Sequence, residues 1–197
     1  MATATTTPRQ LLRRDQRRAQ ILRAAAQAFS RDGYVATSVE EVAKQAGITK
    51  LIVYRHFDSK AALYRAILDE VATRLGEEWL LNTDEARPQG SAVRTLLTVA
   101  RELPDGFRLL FVHAAREQEF MAYADGFRQI QEELADRVLV GLITEEPLRT
   151  WTSRMMVRTV VAAVLEWVEV GDPDGDDAFV EKATTGVRAL VNAVAIH

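Results

Sequence analysis

The 197-residue chain has no cysteine. Disulfides, thiolate zinc sites and thiol redox chemistry are therefore excluded. Histidine is nearly as scarce. His56, His113 and His197 are too scattered to suggest a metal site, and no cofactor is expected. Long apolar runs are also missing. The longest strongly apolar run, residues 160–165, falls far short of the roughly 20 residues that span a bilayer. The opening MATATTTPRQLLRRDQRRAQ is polar and basic and lacks the apolar segment of a secretory signal. No membrane partner is expected, and the expected location is cytoplasmic. There is no convincing strand alternation, no internal repeat, and no nucleophile-elbow, phosphate-loop, HExxH or C-x-x-C pattern. Catalysis is not expected. The pairs Glu132–Glu133 and Glu145–Glu146 read as solvated helix charges.

What is present is an ordinary soluble composition, 48% apolar and 27% charged, with an uneven distribution of charge. Residues 1–65 hold 12 Lys and Arg against 5 Asp and Glu, while residues 66–197 hold 13 against 23. The net charge of −3 thus conceals a basic head on an acidic body. Only the head is suited to a polyanion.

Helical periodicity dominates, so the expected fold class is all-α. Residues 1–12 read as disordered. A first helix over residues 13–31 carries Ile21, Leu22, Ala25, Ala28 and Phe29 on one stripe, with Arg14, Arg17, Arg18 and Arg31 largely off it. Gly33 ends it. Ser38-Val-Glu-Glu41 reads as a capping box opening a second helix, which buries Val39, Val42, Ala43 and Ala46 and stops at Gly47. Thr49 caps a short third helix over residues 50–56, and Asp58 or Ser59 caps a fourth that runs to about residue 81. Pro88, Pro104, Pro147 and Pro173 sit where helical patterns lapse, as loop or first-turn positions. They divide the rest into helices near residues 91–101, 106–116, 118–143, 147–170 and 176–195.

The spacing Ser38…Gly47-Ile48-Thr49…Tyr54 joins two very short helices by a glycine-bearing turn, a helix-turn-helix arrangement. Its second helix can enter a major groove while the first crosses the backbone. Lys50 and Lys60 each fall in the first turn of a helix, where the macrodipole disfavours cations. Beside hydroxyls and free N–H groups, both suit phosphate-binding corners. Thr37, Thr49, Tyr54 and His56 add neutral donors.

The segment TSVEEVAKQAGITKLIVYRHFDSKAALYRAIL resembles the DNA-binding segment of the TetR family of bacterial transcriptional regulators. The features that carry the likeness are ILRAAAQAFSRDGYVATSVEEVA, the AGITK turn, VY-x-HF and SKAAL, together covering about residues 15–68. The resemblance implies a DNA-binding domain over residues 1–62 and a helical effector-binding and dimerisation domain over residues 63–197. Thr37 and Ser38 would face phosphate. Thr49, Lys50, Leu51 and Ile52 would form the leading edge of the recognition helix. Tyr54 and His56 would touch phosphate or base edges, Lys60 would clamp phosphate, and Phe57 would be core. Two departures stand out. The family often has Gly and Thr or Ser where this chain has Leu51 and Ile52. These either contact thymine methyls or turn one member inward. Arg55 occupies a position that is often aromatic, and is the side chain best able to pair bidentately with guanine.

In the acidic body, Phe179, Ala183, Gly186, Val187, Leu190, Val191 and Val194 form a stripe on the last helix, and residues 155–168 are apolar nearly all round. The helices at 147–170 and 176–195 therefore suit homodimerisation, which a helix-turn-helix needs to read two half-sites about 34 Å apart. The likeness to the family strengthens this expectation. It also implies an unknown small-molecule effector held among Trp79, Phe107, Phe111, His113, Phe120, Tyr123, Phe127, Trp151 and Met155. The function expected is a dimeric repressor released from a palindromic operator on double-stranded DNA by that effector. The alternative is a helical dimerisation or adaptor protein with degenerate DNA binding, for which Leu51 and Ile52 speak.

Overall fold

The computed structural model describes residues 14–82 and 91–195. The stretch read as disordered, Pro88 and His197 lie outside them. The described residues are helical, with no strand among them. The order is α1 (Arg14–Asp32), α2 (Val39–Gln45), α3 (Lys50–Tyr54), α4 (Lys60–Asn82), α5 (Ser91–Glu102), α6 (Pro104–Arg108), α7 (Met121–Leu139), α8 (Glu146–Val170) and α9 (Asp176–Ala195).

Local chemistry sets the first four. The α1 stripe is buried as its spacing predicts, with Ile21, Ala25, Ala28 and Phe29 at 0% exposure. Gly33 ends α1 at φ +84 and Gly47 turns the chain after α2 at φ +65, a region that L side chains rarely adopt. The capping box of α2 is complete: Ser38 Oγ accepts the Glu41 N–H at 3.2 Å, and Glu41 Oε2 accepts the Ser38 N–H at 2.7 Å. At α4, Ser59 Oγ accepts the Ala62 N–H at 3.0 Å.

The expected helix over 106–116 breaks into three pieces. α6 ends at Arg108, a wide π-type turn covers Leu109–His113, and a tight 3-10 turn covers Ala114–Arg116. The physical reason is enclosure. Regular helical spacing sets Leu109 roughly 200° from Phe107, yet both are buried, at 0% and 1% exposure. This corner threads between α1, α4 and α5 and is wrapped on opposite sides. Periodicity reads a segment with one buried face and misreads this one. Gly106 marks the closest approach, since a Cβ there would lie 2.8 Å from Val71 Cγ2 on α4. The helix expected over 118–143 is likewise shorter, at Met121–Leu139.

One apolar core runs from Ile21 to Val180 and joins α1 to α9, so α4 serves head and body together. A small second cluster of Leu139, Ile143 and Val191 closes the far end. Between α8 and α9 the chain is knotted by Arg101 of α5. Its guanidinium donates to both Asp176 oxygens (2.9 and 3.2 Å) and to the carbonyl of Gly171 (3.0 Å). The Trp167 indole N–H donates to Asp176 Oδ1 at 2.6 Å, and its ring stacks on Phe179 at 4.8 Å. The Arg101 hydrogen bond, followed by that of Trp167, holds the Asp176 carboxyl below the usual carboxylate range against the opposing effect of burial.

The stripe expected to pair two subunits through α9 is largely used within one. Phe179, Ala183 and Val187 pack on the main core, while Val191 and Val194 join the second cluster. Gly186 points away, with open space around it. The outward side of α9 carries Thr185, Gly186, Ala189 and Ala193, all exposed. On α8, Val160 and Val164 are buried, whereas Met155, Val157, Val161 and Leu165 are only half-covered.

Candidate nucleic-acid interface

α3 is anchored by Val53, which is 1% exposed. At about 100° per residue, Leu51 and Arg55 stand on the side opposite Val53, flanked by Tyr54 and Ile52. Burial follows this wheel. Leu51 is 63% and Tyr54 41% exposed, Arg55 is exposed, and Ile52 is half-buried. Arg55 makes no side-chain hydrogen bond or ion pair with the described residues. Thr49 takes the N-cap position, but its hydroxyl makes no capping bond and is exposed. Lys50 is ion-paired with Glu40 of α2, and its ammonium lies 5.6 Å from the Tyr54 ring centroid. Both partners are exposed, so the pair is worth little and yields readily to phosphate.

His56 is half-buried at the end of this turn. Burial, followed by Arg14, Arg17 and Arg18, holds its pKa below the ordinary value. Near neutral pH the ring is uncharged, with one donor and one acceptor nitrogen. The same relation places the basic start of α1 beside α3, and Arg18 lies 5.5 Å from the Phe57 ring. Arg14, Arg17 and Arg18 thus belong to this face. The sequence showed them off the α1 stripe without showing what they flank. Phe57 is buried in the core, as expected.

Two residues expected at phosphate have partners within the chain. Thr37 is 2% exposed, and its Oγ1 lies 2.7 Å from the Gly33 carbonyl and 3.3 Å from that of Ala28. Its hydroxyl closes the end of α1 instead of facing outward. Lys60 Nζ donates to the carbonyls of Tyr34 (2.8 Å), Thr37 (3.2 Å) and Val35 (3.3 Å), and lies 4.4 Å from the Tyr34 ring. All three of its N–H bonds hold the α1–α2 turn. Ser38 is likewise committed to its capping box. Sequence spacing placed these residues near the surface but could not show how their donors were spent.

An aromatic seam ties this head to the body. Tyr64 stacks on Phe120 at 4.3 Å and meets Tyr34 edge-on at 5.1 Å. The Tyr34 hydroxyl donates to Glu119 Oε2 at 2.8 Å, and burial followed by this bond pushes its pKa up to about 12. Tyr123 donates to Asp69 at 2.7 Å.

The residues expected around an effector do not converge. A cavity of about 420 Å³ between α1, α5, α6 and α8 is lined by Ser30, Arg108, Leu165 and others, and takes in only Phe107 and His113 of the nine. Phe111 sits between Phe107 and Phe127, with centroids at 4.5 and 5.8 Å. Phe120 and Tyr123 belong to the seam. Trp151 is 48% exposed, and Trp79 and Met155 are half-buried on α4 and α8.

A basic helix-turn-helix with an outward recognition helix, on an all-helical body, defines a DNA-binding transcriptional regulator. Residues 21–67 match the family described as bacterial regulatory proteins, tetR family. Over this segment the chain is similar to that family. It is 28% identical over 181 residues, 86% of this chain and 80% of the relative, to the HTH-type transcriptional activator FasR of Mycolicibacterium smegmatis. Among solved structures, a TetR-like transcriptional regulator from Rhodococcus sp. RHA1 has the same fold, with a TM-score of 0.77 at 21% identity over 92% of this chain and 96% of that one. AibR in complex with isovaleryl coenzyme A and operator DNA matches at a TM-score of 0.66 and 22% identity, over 86% of this chain and 97% of that one.

Proposed function

We propose that the chain is a homodimeric, effector-responsive repressor that binds a palindromic operator through α3. The observation that carries this reading is the crest formed by α3 and its C-cap, where Leu51, Tyr54 and Arg55 stand outward. Thr49, Tyr54, His56 and the α1 arginines supply donors for phosphate, Lys50 joins them once released from Glu40, and Arg55 pairs with a guanine in each half-site. Residues 1–62 form the head, and residues 63–197 form the effector-binding and dimerising body, located in the cytoplasm.

Pairing uses α8 and α9. The half-covered Val157, Val161 and Leu165 of α8 and the small Gly186, Ala189 and Ala193 of α9 allow a second subunit to approach closely. The effector enters the cavity at Phe107 and His113. There a ligand contacts α1 through Ser30 and α8 through Leu165, and so bridges the head and the pairing helix. It shifts the equilibrium only by its difference in affinity for the DNA-bound and free arrangements. The binding of both a small molecule and operator DNA by AibR supports this scheme.

Fluorescence anisotropy against the DNA upstream of its own gene tests the reading. Expected is binding that weakens steeply with salt, as phosphate contacts release counterions. Absence of binding at low salt would leave a dimerisation or adaptor role. A second reading, activation, is favoured by the name of the FasR relative, which aligns with most of the chain. Reporter output on deleting the gene separates the two.

A further inference from the structure

We infer that Leu51 is a sequence-reading residue and that it recognises the C5-methyl group of a thymine in the major groove. The inference rests on the DNA-binding reading above and adds to it the chemical feature that is read. Of the two bulky apolar residues at the start of α3, the structure separates the roles. Val53 turns fully inward, Ile52 is half-buried, and Leu51 stands 63% exposed on the crest. The described residues leave most of it open. Several polar side chains near it already have partners within the fold, and Arg55 stands on the same crest with its head uncommitted among the described residues. Lys50 is paired with Glu40 and lies by the Tyr54 ring, Thr37 is buried, Ser38 is committed to its cap, and Lys60 is committed to three carbonyls.

A leucine side chain has no hydrogen-bonding group. The thymine methyl is the apolar feature that B-DNA presents in its major groove, and it distinguishes A·T from every other pair when met by an apolar side chain. Arg55 lies one turn further along the same crest. Four residues at 1.5 Å rise separate the two by about 6 Å along the helix axis. That is roughly two base steps of 3.4 Å, so a thymine and a guanine about two steps apart are the expected pair of contacts.

The test removes the methyl from the DNA instead of the side chain from the protein. A site is first selected with the full-length chain from a pool of randomised duplexes. Each thymine in that site is then replaced in turn by deoxyuridine, which keeps all hydrogen-bonding groups and deletes one methyl. Burial of one such carbon predicts about a fourfold loss of affinity at a single thymine, and about sixteenfold when both half-sites are substituted. The loss should vanish in Leu51→Ala, which binds the thymine and uracil sites alike. Leu51 packs on nothing in the core, so this variant keeps its fold, and circular dichroism checks that it does.

Indifference to uracil at every position would overturn the inference while leaving DNA binding intact. So would a uracil penalty that persists in Leu51→Ala, or one that disappears instead in Ile52→Ala. Failure of the pool to yield any site would remove the DNA-binding reading itself, and this inference with it.

Discussion

Lys60→Ala distinguishes two roles for a residue that sequence alone assigns to phosphate. In the structure its ammonium donates to three carbonyls of the α1–α2 turn and lies against the Tyr34 ring. Charge-assisted hydrogen bonds contribute about 1.5–3 kcal/mol each. The sum overstates the net, because the freed carbonyls and the ammonium regain water in their reference states. A loss of about 2–3 kcal/mol is expected for the set. For a chain of this size that lowers Tm by about 4–12 °C. The turn itself, residues 33–38, should lose amide-exchange protection first. Operator affinity should fall as the turn loosens, but the dependence of log K on log salt should keep its slope. Lys60→Arg keeps the charge but cannot aim three N–H bonds at three convergent carbonyls, so it should lose stability as well. The assays are urea unfolding, hydrogen exchange and a salt titration of operator binding. Unchanged stability together with a slope reduced by about 0.9 per lost phosphate contact would refute this reasoning and restore the phosphate clamp.

Two further outcomes follow from the body. Burial first, then Arg116 and Arg108, hold the His113 pKa below its ordinary value, with Glu117 opposing. Protons therefore bind the unfolded chain more readily, so the contribution of His113 to stability is complete above about pH 6.5 and is lost as pH falls through the lowered value. Urea midpoints from about pH 7.5 to about pH 5 should decline less in His113→Gln than in the parent, and parallel declines would count against this. Gly106→Ala places a Cβ 2.8 Å from Val71 Cγ2 and should destabilise by about 1–3 kcal/mol as α6 is forced from α4. Gly126→Ala, in open space on α7, should instead stabilise by about 0.5–1 kcal/mol; thermal melts that rank the two the other way would contradict the packing.

Much of the head was legible because its signals are local. The capping box at Ser38 and Glu41 and the turn glycines Gly33 and Gly47 act within a few residues of themselves, and the α1 stripe repeats with the helix period. The body was less so. The corner around Phe107 and Leu109 is enclosed on opposite sides, which defeats a reading built on one buried face. The body aromatics looked alike in sequence but separated into a head–body seam, a Phe cluster, the edge of a cavity and solvent, because their partners lie on other helices.

The sequence by itself determined an all-helical chain, a basic head, the two short helices of a DNA-reading corner and the place where each begins. Those depend on caps, glycines and periodicity, whose energies are local. Only the tertiary structure decided where the donors go. Thr37 turned to the Gly33 and Ala28 carbonyls, Lys60 reached back across 23 to 26 residues to three others, and Val53 turned inward so that Leu51 and Arg55 faced out. A side chain's hydrogen bond is settled by whichever partner the fold brings within about 3 Å, and that partner is not written beside it in the chain.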